Sequence, residues 1–218
     1  MTLAIFDLDN TLLAGDSDHL WGQYLVDNQR VDGETYQREN ERFYADYREG
    51  KLDILEFLAF SLKPLAKHSP EELYRWRDDY IQTRIQPIIT PAAKALVEKH
   101  RAAGDTLLII TATNRFVTEP IAALFGIENL LATDPELNDN GYTGKVSGVP
   151  CYQQGKVTRL DAWLEETGHD LQGAYFYSDS HNDLPLLEKI DKPVAVDPDD
   201  ILKKAAQDKG WPVISLRG

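Results

Sequence analysis

Two kinds of hydrophobic pattern alternate along the chain and divide it. Leu3, Ala4, Ile5 and Phe6 form a short apolar run that ends in acidic and turn residues, which predicts a strand buried on both faces. From residue 19 to about residue 87, apolar positions recur at helical spacing among many charges: Leu20 and Tyr24; Phe43 and Tyr47; Leu55, Leu58 and Leu62; Leu73, Trp76 and Tyr80. This stretch predicts a helical insertion. After Pro91 the two patterns alternate. Residues 92–103 predict a helix closed by Gly104, 106–110 a strand, 116–125 a helix closed by Gly126, and 130–133 a short strand. Asn138-Asp139-Asn140-Gly141 predicts a hairpin turn. Residues 156–167 predict a helix and 174–177 a buried strand; 184–190, 193–196, 201–208 and 213–215 then predict helix, strand, helix and strand. Strands separated by helices imply an α/β fold, a doubly wound parallel sheet of Rossmann-like kind with a helical cap inserted after the first strand. The expected division is a catalytic core of residues 1–15 and 89–218 and a cap of residues 16–88.

Composition narrows the class. A chain of 218 residues with 42% hydrophobic and 27% charged residues fits a folded globular protein and excludes wholesale disorder or a fibrous class. Lys and Arg total 23 against 36 Asp and Glu, and a net charge of −13 opposes binding to nucleic acid or to an anionic membrane surface. The single cysteine, Cys151, forms no intrachain disulfide and supplies no cysteine-rich zinc site, which fits a reducing compartment and makes the cytoplasm the expected location. Carboxylates already at Asp7 and Asp9 oppose a secretory leader. The most apolar stretch, residues 107–110, is far short of the roughly 20 residues that a bilayer-spanning helix needs. No feature calls for an obligatory protein partner.

In a doubly wound sheet, ligands bind outside the carboxyl ends of the strands. Three polar segments are expected there: Asp7-Leu8-Asp9-Asn10-Thr11, Thr111-Ala112-Thr113-Asn114, and Ser178-Asp179-Ser180-His181-Asn182-Asp183, with Lys156 starting a helix between the second and third. Asp7, Asp9 and Asp179 on one edge would repel one another unless a cation neutralised them. Oxygen ligands of this kind suit Mg²⁺, which keeps several waters and shares a few carboxylates with a substrate phosphate. Lys156 and Thr111 would add a positive charge and a hydroxyl donor for phosphate oxygens. Together these groups point to phosphoryl chemistry on a small phosphorylated metabolite. No G-x-x-x-x-G-K-[ST] loop is present, which argues against a P-loop nucleotide enzyme.

The same segments resemble the four ordered motifs of the haloacid dehalogenase-like hydrolases. Ala4-Ile5-Phe6-Asp7-Leu8-Asp9-Asn10-Thr11 matches a hydrophobic strand followed by D-x-D-x-[TV], residues 107–111 match an apolar strand ending in Ser or Thr, Lys156 matches the motif lysine, and Asp179 to Asp183 match the acidic segment. Asn182-Asp183-Leu184-Pro185-Leu186-Leu187 resembles the phosphoserine phosphatase-like branch, in which a helical cap lies between the first two motifs. Ser178 departs from the glycine many relatives carry, which is expected to alter the turn more than the chemistry. The resemblance implies that Asp7 is the nucleophile, forming an aspartyl-phosphate, and that Asp9 is general acid and then base, with its backbone carbonyl on Mg²⁺. It also implies that Asp179 ligates Mg²⁺ while Asn182 and Asp183 orient the metal's waters and hold the loop. In an extended strand, residues two apart face the same side, so D-x-D would present both carboxylates to one site.

Alternative readings accompany each residue. Asp7 and Asp9 alone could be turn residues, and D-x-D-x-T with Asp18 in twelfth position faintly imitates a calcium loop, although Leu12 occupies its glycine position. Asp179 and Asp183 could simply favour the following helix. His181 is kept out of catalysis, and Cys151 reads as an inert thiol. Asp16 stands at the offset where phosphoserine phosphatases carry an acid for the substrate ammonium; Asp16, Ser17 or Asp18 could equally cap a helix before Leu20. Substrate contacts are thus expected from Asp16, Asp18, Thr111, Ala112 and Lys156. Arg42 and Arg48 are candidates for a substrate carboxylate but read more readily as solvated. The wording of the motifs looks closest to a bacterial group that includes histidinol-phosphate phosphatases, which would place the chain in amino-acid metabolism, in histidine biosynthesis. That substrate carries an amine and an imidazole and no carboxylate, and cap acids with Trp21, Tyr44 and Tyr47 would accommodate it. Phosphoserine is the alternative substrate. A mutase, a dehalogenase and a non-enzymatic receiver-like phospho-acceptor fit less well, the last because it does not need an insertion of roughly 70 residues, far longer than ordinary loops.

Overall fold

A computed structural model describes residues 2–217. The first strand, β1 (Leu3–Phe6), is buried along its whole length. Its side chains alternate between two separate apolar clusters: Ala4 and Phe6 enter one, Leu3 and Ile5 the other. That alternation is the period of two expected of a central strand covered on both faces.

After β1 come four helices, α1 (Ser17–Asp27), α2 (Gly33–Arg48), α3 (Ile54–Ser61) and α4 (Pro70–Tyr80). The helical positions read from the sequence fall on them in order, and Tyr24, Phe43, Leu58, Leu62, Leu73, Trp76 and Tyr80 are buried; Leu55 faces solvent. The helical segment has no core of its own. Trp21, Tyr24, Leu58, Leu62 and Tyr80 belong to the same apolar cluster as Phe6 and Ile109 of the sheet, and the Trp21 ring meets Phe116 edge-on at 5.7 Å.

The chain then runs through α5 (Pro91–Ala102), β2 (Thr106–Asn114), α6 (Arg115–Leu124), β3 (Asn129–Asn138), β4 (Gly141–Ser147), α7 (Gln154–Thr167), β5 (Tyr175–Ser178), α8 (Leu184–Leu187), β6 (Lys192–Val196), α9 (Asp200–Lys209) and β7 (Val213–Ile214). The seven strands form one sheet in the order β4-β3-β2-β1-β5-β6-β7. All neighbouring pairs are parallel except β3–β4, which is antiparallel. The doubly wound reading is therefore right with one amendment: the expected hairpin adds an antiparallel edge strand. Gly141, at φ 111°, makes its turn.

Two boundaries differ from the sequence reading. β2 continues through the polar Thr111–Asn114 segment, with its register against β3 shifting between Ile110 and Asn114. The helix expected over 184–190 is only α8, four residues long. From β1 the chain proceeds to β2 and β3 on one side and later to β5, β6 and β7 on the other. The carboxyl end of β1 is thus the switch point where such sheets open a crevice. No helix of the described residues is long and apolar enough to cross a membrane.

Cys151 is buried, and its Sγ–H donates to the Leu131 carbonyl at 3.5 Å. Burial pushes its thiol up to about 12, so the thiolate that reacts is scarce at neutral pH. Iodoacetamide at pH 8 should therefore label the unfolded chain in urea at least about 100-fold faster than the native protein. Equal rates would show that Cys151 is accessible.

Candidate active site

β1 delivers Asp7 to the crevice, where its amide donates to the Tyr177 carbonyl at 2.9 Å. The chain does not continue as a strand. Residues 8–12 form a tight helical turn with Asn10 at φ 54°, closed by Leu13 N–H donating to the Leu8 carbonyl at 3.0 Å. The two acids of D-x-D therefore diverge instead of pointing from one strand face, which corrects the strand argument. Asp7 accepts from Lys156 Nζ at 2.7 Å and from the Thr11 hydroxyl at 3.1 Å. Asp9 accepts from Ser17 N–H at 2.6 Å and from the Thr113 and Thr111 hydroxyls at 2.8 and 3.4 Å. Both nevertheless line one cleft.

Lys156 sits in the first turn of α7 with 2% of its surface exposed. The turn before it is tight: Gln153 has φ 47°, and a Cβ on Gly155 would lie 2.0 Å from the Pro150 carbonyl oxygen, so only glycine fits. The ammonium also bonds to Asp183 at 2.8 Å, and Asp183 accepts from the Ser178 hydroxyl at 2.7 Å. Ser178, the position that departs from the motif, thus holds Asp183. Asn182 accepts from Tyr152 Oη and Gln153 Nε2, both at 3.0 Å, and donates to the Tyr47 carbonyl of α2 at 3.0 Å, tying this loop to the helical segment. Asp179 accepts from the Thr11 hydroxyl at 3.0 Å.

Electrostatics mark the site as incomplete on its own. Burial, opposed by Lys156 and reinforced by Asp183 and Asp9, pushes Asp7 up to about 7. Burial and then Asp16 raise Asp9 to about 6, which favours a proton on it. Asp179 is raised well above the usual carboxylate range by burial and then by Asp7 and Asp183. Burial pulls the Lys156 ammonium down, but Asp183 and Asp7 outweigh it and hold its pKa above the ordinary lysine value. One ammonium thus serves Asp7 and Asp183, while a single Thr11 proton is shared by Asp7 and Asp179. A divalent cation between Asp7 and Asp179 fits this donor set. No group of three or more His, Cys, Asp or Glu side chains converges on a metal position among the described residues, and Mg²⁺ asks for fewer, completing its shell with water and phosphate.

The cleft is narrow, a cavity of about 50 Å³. Asp7, Asp9, Asp16, Asp18, Thr111 and Ala112, all expected at the site, line it, together with Tyr44 and Tyr47. Asp16 caps α1, accepting from His19 N–H at 2.8 Å, and also faces the cleft, where burial raises it to about 6. Lys156 is not part of the lining, and two of its three donors are held by Asp7 and Asp183. Trp21 is also absent from it: at 2% exposure it packs among Tyr24, Tyr80 and Phe116. Arg42 is engaged by Glu39, Asp46 and Glu56. Asp179 lines an adjoining opening with His181, whose Nδ1 lies 2.7 Å from Asp199. The sequence reading named Thr11, Ser17, Thr113 and Ser178 but gave none of them a contact in the site. D-x-D-x-T was itself a signal for Thr11, whereas Ser17 contributes a backbone N–H that residue type does not reveal.

This chain belongs to the haloacid dehalogenase-like hydrolases, whose family model matches residues 4–188. It is 49% identical over 219 residues to a histidinol-phosphatase of Neisseria meningitidis, covering 99% of each chain. It is 34% identical over 221 residues to a probable phosphatase of Mycobacterium tuberculosis, covering 99% of this chain and 75% of the other. A crystal structure of a protein of unknown function from Bordetella pertussis superposes with a TM-score of 0.93 at 44% identity, covering 99% of this chain and 100% of that one. A phospho-aspartyl intermediate analogue of phosphoserine phosphatase has the same fold, with a TM-score of 0.73 at 18% identity, covering 99% and 93% of the two chains.

Because one Thr11 proton serves the buried Asp7 and the half-buried Asp179, Asp179→Asn should stabilise the metal-free protein by about 1–2 kcal/mol, read as a higher urea midpoint in EDTA. An unchanged or lower midpoint would show that Asp7 and Asp179 do not oppose each other.

Proposed function

We propose that this protein is a Mg²⁺-dependent phosphomonoesterase that hydrolyses a small amine-bearing phosphate ester through an aspartyl-phosphate, with histidinol phosphate as the substrate. The observation that carries the substrate class is the cleft lining: Asp7, Asp9, Asp16 and Asp18 are all present, and neither Lys nor Arg is. An ester whose alcohol carries a positive charge suits such a wall; one that also carries a carboxylate, as phosphoserine does, lacks a cationic partner there. The full-length similarity to a histidinol-phosphatase supports the same choice.

In this reading Asp7, Asp179 and the backbone carbonyl of Asp9 hold the metal, and the helical segment 16–88 is the cap that surrounds the leaving group. Bound there, Mg²⁺ supplies positive charge that keeps Asp7 ionised and offsets the charge of the phosphate oxygens. The Asp7 carboxylate attacks phosphorus, and the ester oxygen departs with the proton held by Asp9. Asp9, now ionised, takes a proton from water as that water attacks the aspartyl-phosphate. Inorganic phosphate leaves, and Asp7 is regenerated. Thr113 and Ser17 orient Asp9 for both transfers. Lys156 holds Asp7 in place, with Asp183 and Ser178 fixing Lys156 in turn. Phosphorus chemistry of this kind depends on positioning and charge neutralisation more than on intrinsic reactivity.

Three measurements test this. In a phosphomonoester panel, histidinol phosphate should exceed phosphoserine in kcat/KM by at least about tenfold, a gap of about 1.4 kcal/mol in transition-state binding; the reverse order would reject the substrate. Free phosphate should appear in step with the alcohol, whereas an isomerised ester without free phosphate would indicate a mutase. EDTA should abolish turnover and added Mg²⁺ restore it, with Asp7→Asn inactive in both conditions. Full Asp7→Asn activity would remove the nucleophile.

A further inference from the structure

His19 lies outside every motif, yet four features fix its ring at the cleft wall. Its Nδ1 is 3.2 Å from Asn40 Nδ2, its Nε2 is 2.9 Å from Gln23 Nε2, and its carbonyl accepts from Asn40 Nδ2 at 3.0 Å. The fourth is the Tyr44 ring, stacked on the imidazole with centroids 4.4 Å apart and planes 21° from parallel. Both facing groups are amide nitrogens and a neutral imidazole has one acceptor nitrogen, so only one of them donates to the ring while the other stands beside its N–H. What it offers the cleft is a flat, weakly polar surface.

The support behind it is equally specific. Asn40 on α2 is buried, with 6% of its surface exposed. It fits there because residue 22 is glycine: a Cβ on Gly22 would stand 2.5 Å from Asn40 Oδ1. Glycine inside a helix is unfavourable unless something needs the space, and here Asn40 does. The residue that caps α1 closes the arrangement, since Asp16 accepts from the His19 backbone N–H at 2.8 Å and both residues line the cleft. Phe43, Tyr47 and Phe57 continue the aromatic lining.

We infer that His19 and Tyr44 form a stacking surface that selects a leaving alcohol bearing a planar heteroaromatic ring, with Asp16 receiving the neighbouring ammonium and with Asn40 and Gly22 as positioning residues. This rests on the proposed phosphatase reading and adds to it how the ring is recognised. In histidinol phosphate the ring and the amine-bearing carbon are one methylene apart, and Asp16 and His19 are joined by a single hydrogen bond. A flat ring against a stacked pair gains the attraction of offset aromatic contacts beyond the area it buries.

The test compares histidinol phosphate with 2-aminopropyl phosphate, which has the same amine and ester but no ring, and reads the ratio of their kcat/KM values. The wild-type ratio should be at least about tenfold in favour of the ring, combining stacking with burial of the ring's surface. Tyr44→Leu and His19→Ala should each lower that ratio about threefold to tenfold, and Tyr44→Phe should keep it within about twofold. Gly22→Ala, which displaces Asn40, should lower the ratio as well. A ratio unchanged in Tyr44→Leu and His19→Ala, with both substrates slowed alike, would overturn the inference, as would a wild-type ratio near one; both results leave the phosphatase reading standing. Turnover of neither ester by the wild type would instead reject that reading. Should the variants fail to fold, product inhibition of the wild type decides: histidinol should inhibit more tightly than 2-amino-1-propanol, and equal inhibition would overturn the stacking surface.

Discussion

A single buried ammonium group joins the parts of the carboxyl edge. Lys156 at the start of α7 reaches Asp7 at the end of β1 and Asp183 in the loop after β5, so three segments far apart in sequence meet at one charge. Such a centre is held by satisfaction of its parts more than by net attraction. Taking charges out of water costs nearly as much as their attraction returns, but removing one partner leaves the other uncompensated, at about 3–5 kcal/mol. The tight turn at Gln153 and Gly155 and the Ser178 hydroxyl on Asp183 exist to keep that geometry.

The acids outnumber the ammonium, and this surplus links stability to function. Asp7 and Asp179 approach one hydroxyl that has one proton, and the turn carrying Asp7 and Asp9 passes through a left-handed Asn10. Arg217, near the other end of the chain, donates to the Thr11 and Asn10 carbonyls and holds that turn. Natural sites accept such tension where chemistry needs charge in a confined space. A cation held between these acids would relieve it.

Most of the fold was legible because its signals are local. The burial of β1, the helix stops at Gly104 and Gly126 and the hairpin at Asn138–Gly141 each follow from adjacent residues. The error at α8 came from reading apolar spacing through Pro185 to Ile190, where the helix instead stops at Leu187. β2 ran past Ile110 because Thr111 and Thr113 are partnered within the fold, which makes a polar tetrapeptide acceptable in a buried strand. In the site, D-x-D located both acids but misjudged their directions, since a turn and a strand share that spacing. The contacts of Thr113, Ser17 and Asn40 escaped for a different reason: their partners lie on other elements, at distances no local pattern encodes. Trp21 was assigned to the cleft by residue type alone, and packing decided otherwise.

Where the helical segment leaves and rejoins the sheet, Leu13 pairs with Ile89 in an isolated antiparallel bridge and Ala14 N–H donates to the Ile88 carbonyl at 2.8 Å. The two crossings therefore lie side by side, and whatever stands between them adds no strain to the strands beneath. Residues 15–87 thus have ends that already meet, which makes the segment exchangeable in its connections but not in its contacts, since it shares the sheet's apolar cluster and its Ser17 N–H holds Asp9. The limit on exchange is set below. Trp21 and Tyr74 cover Phe116, so any substitute must bring an apolar underside of its own or leave that ring in water.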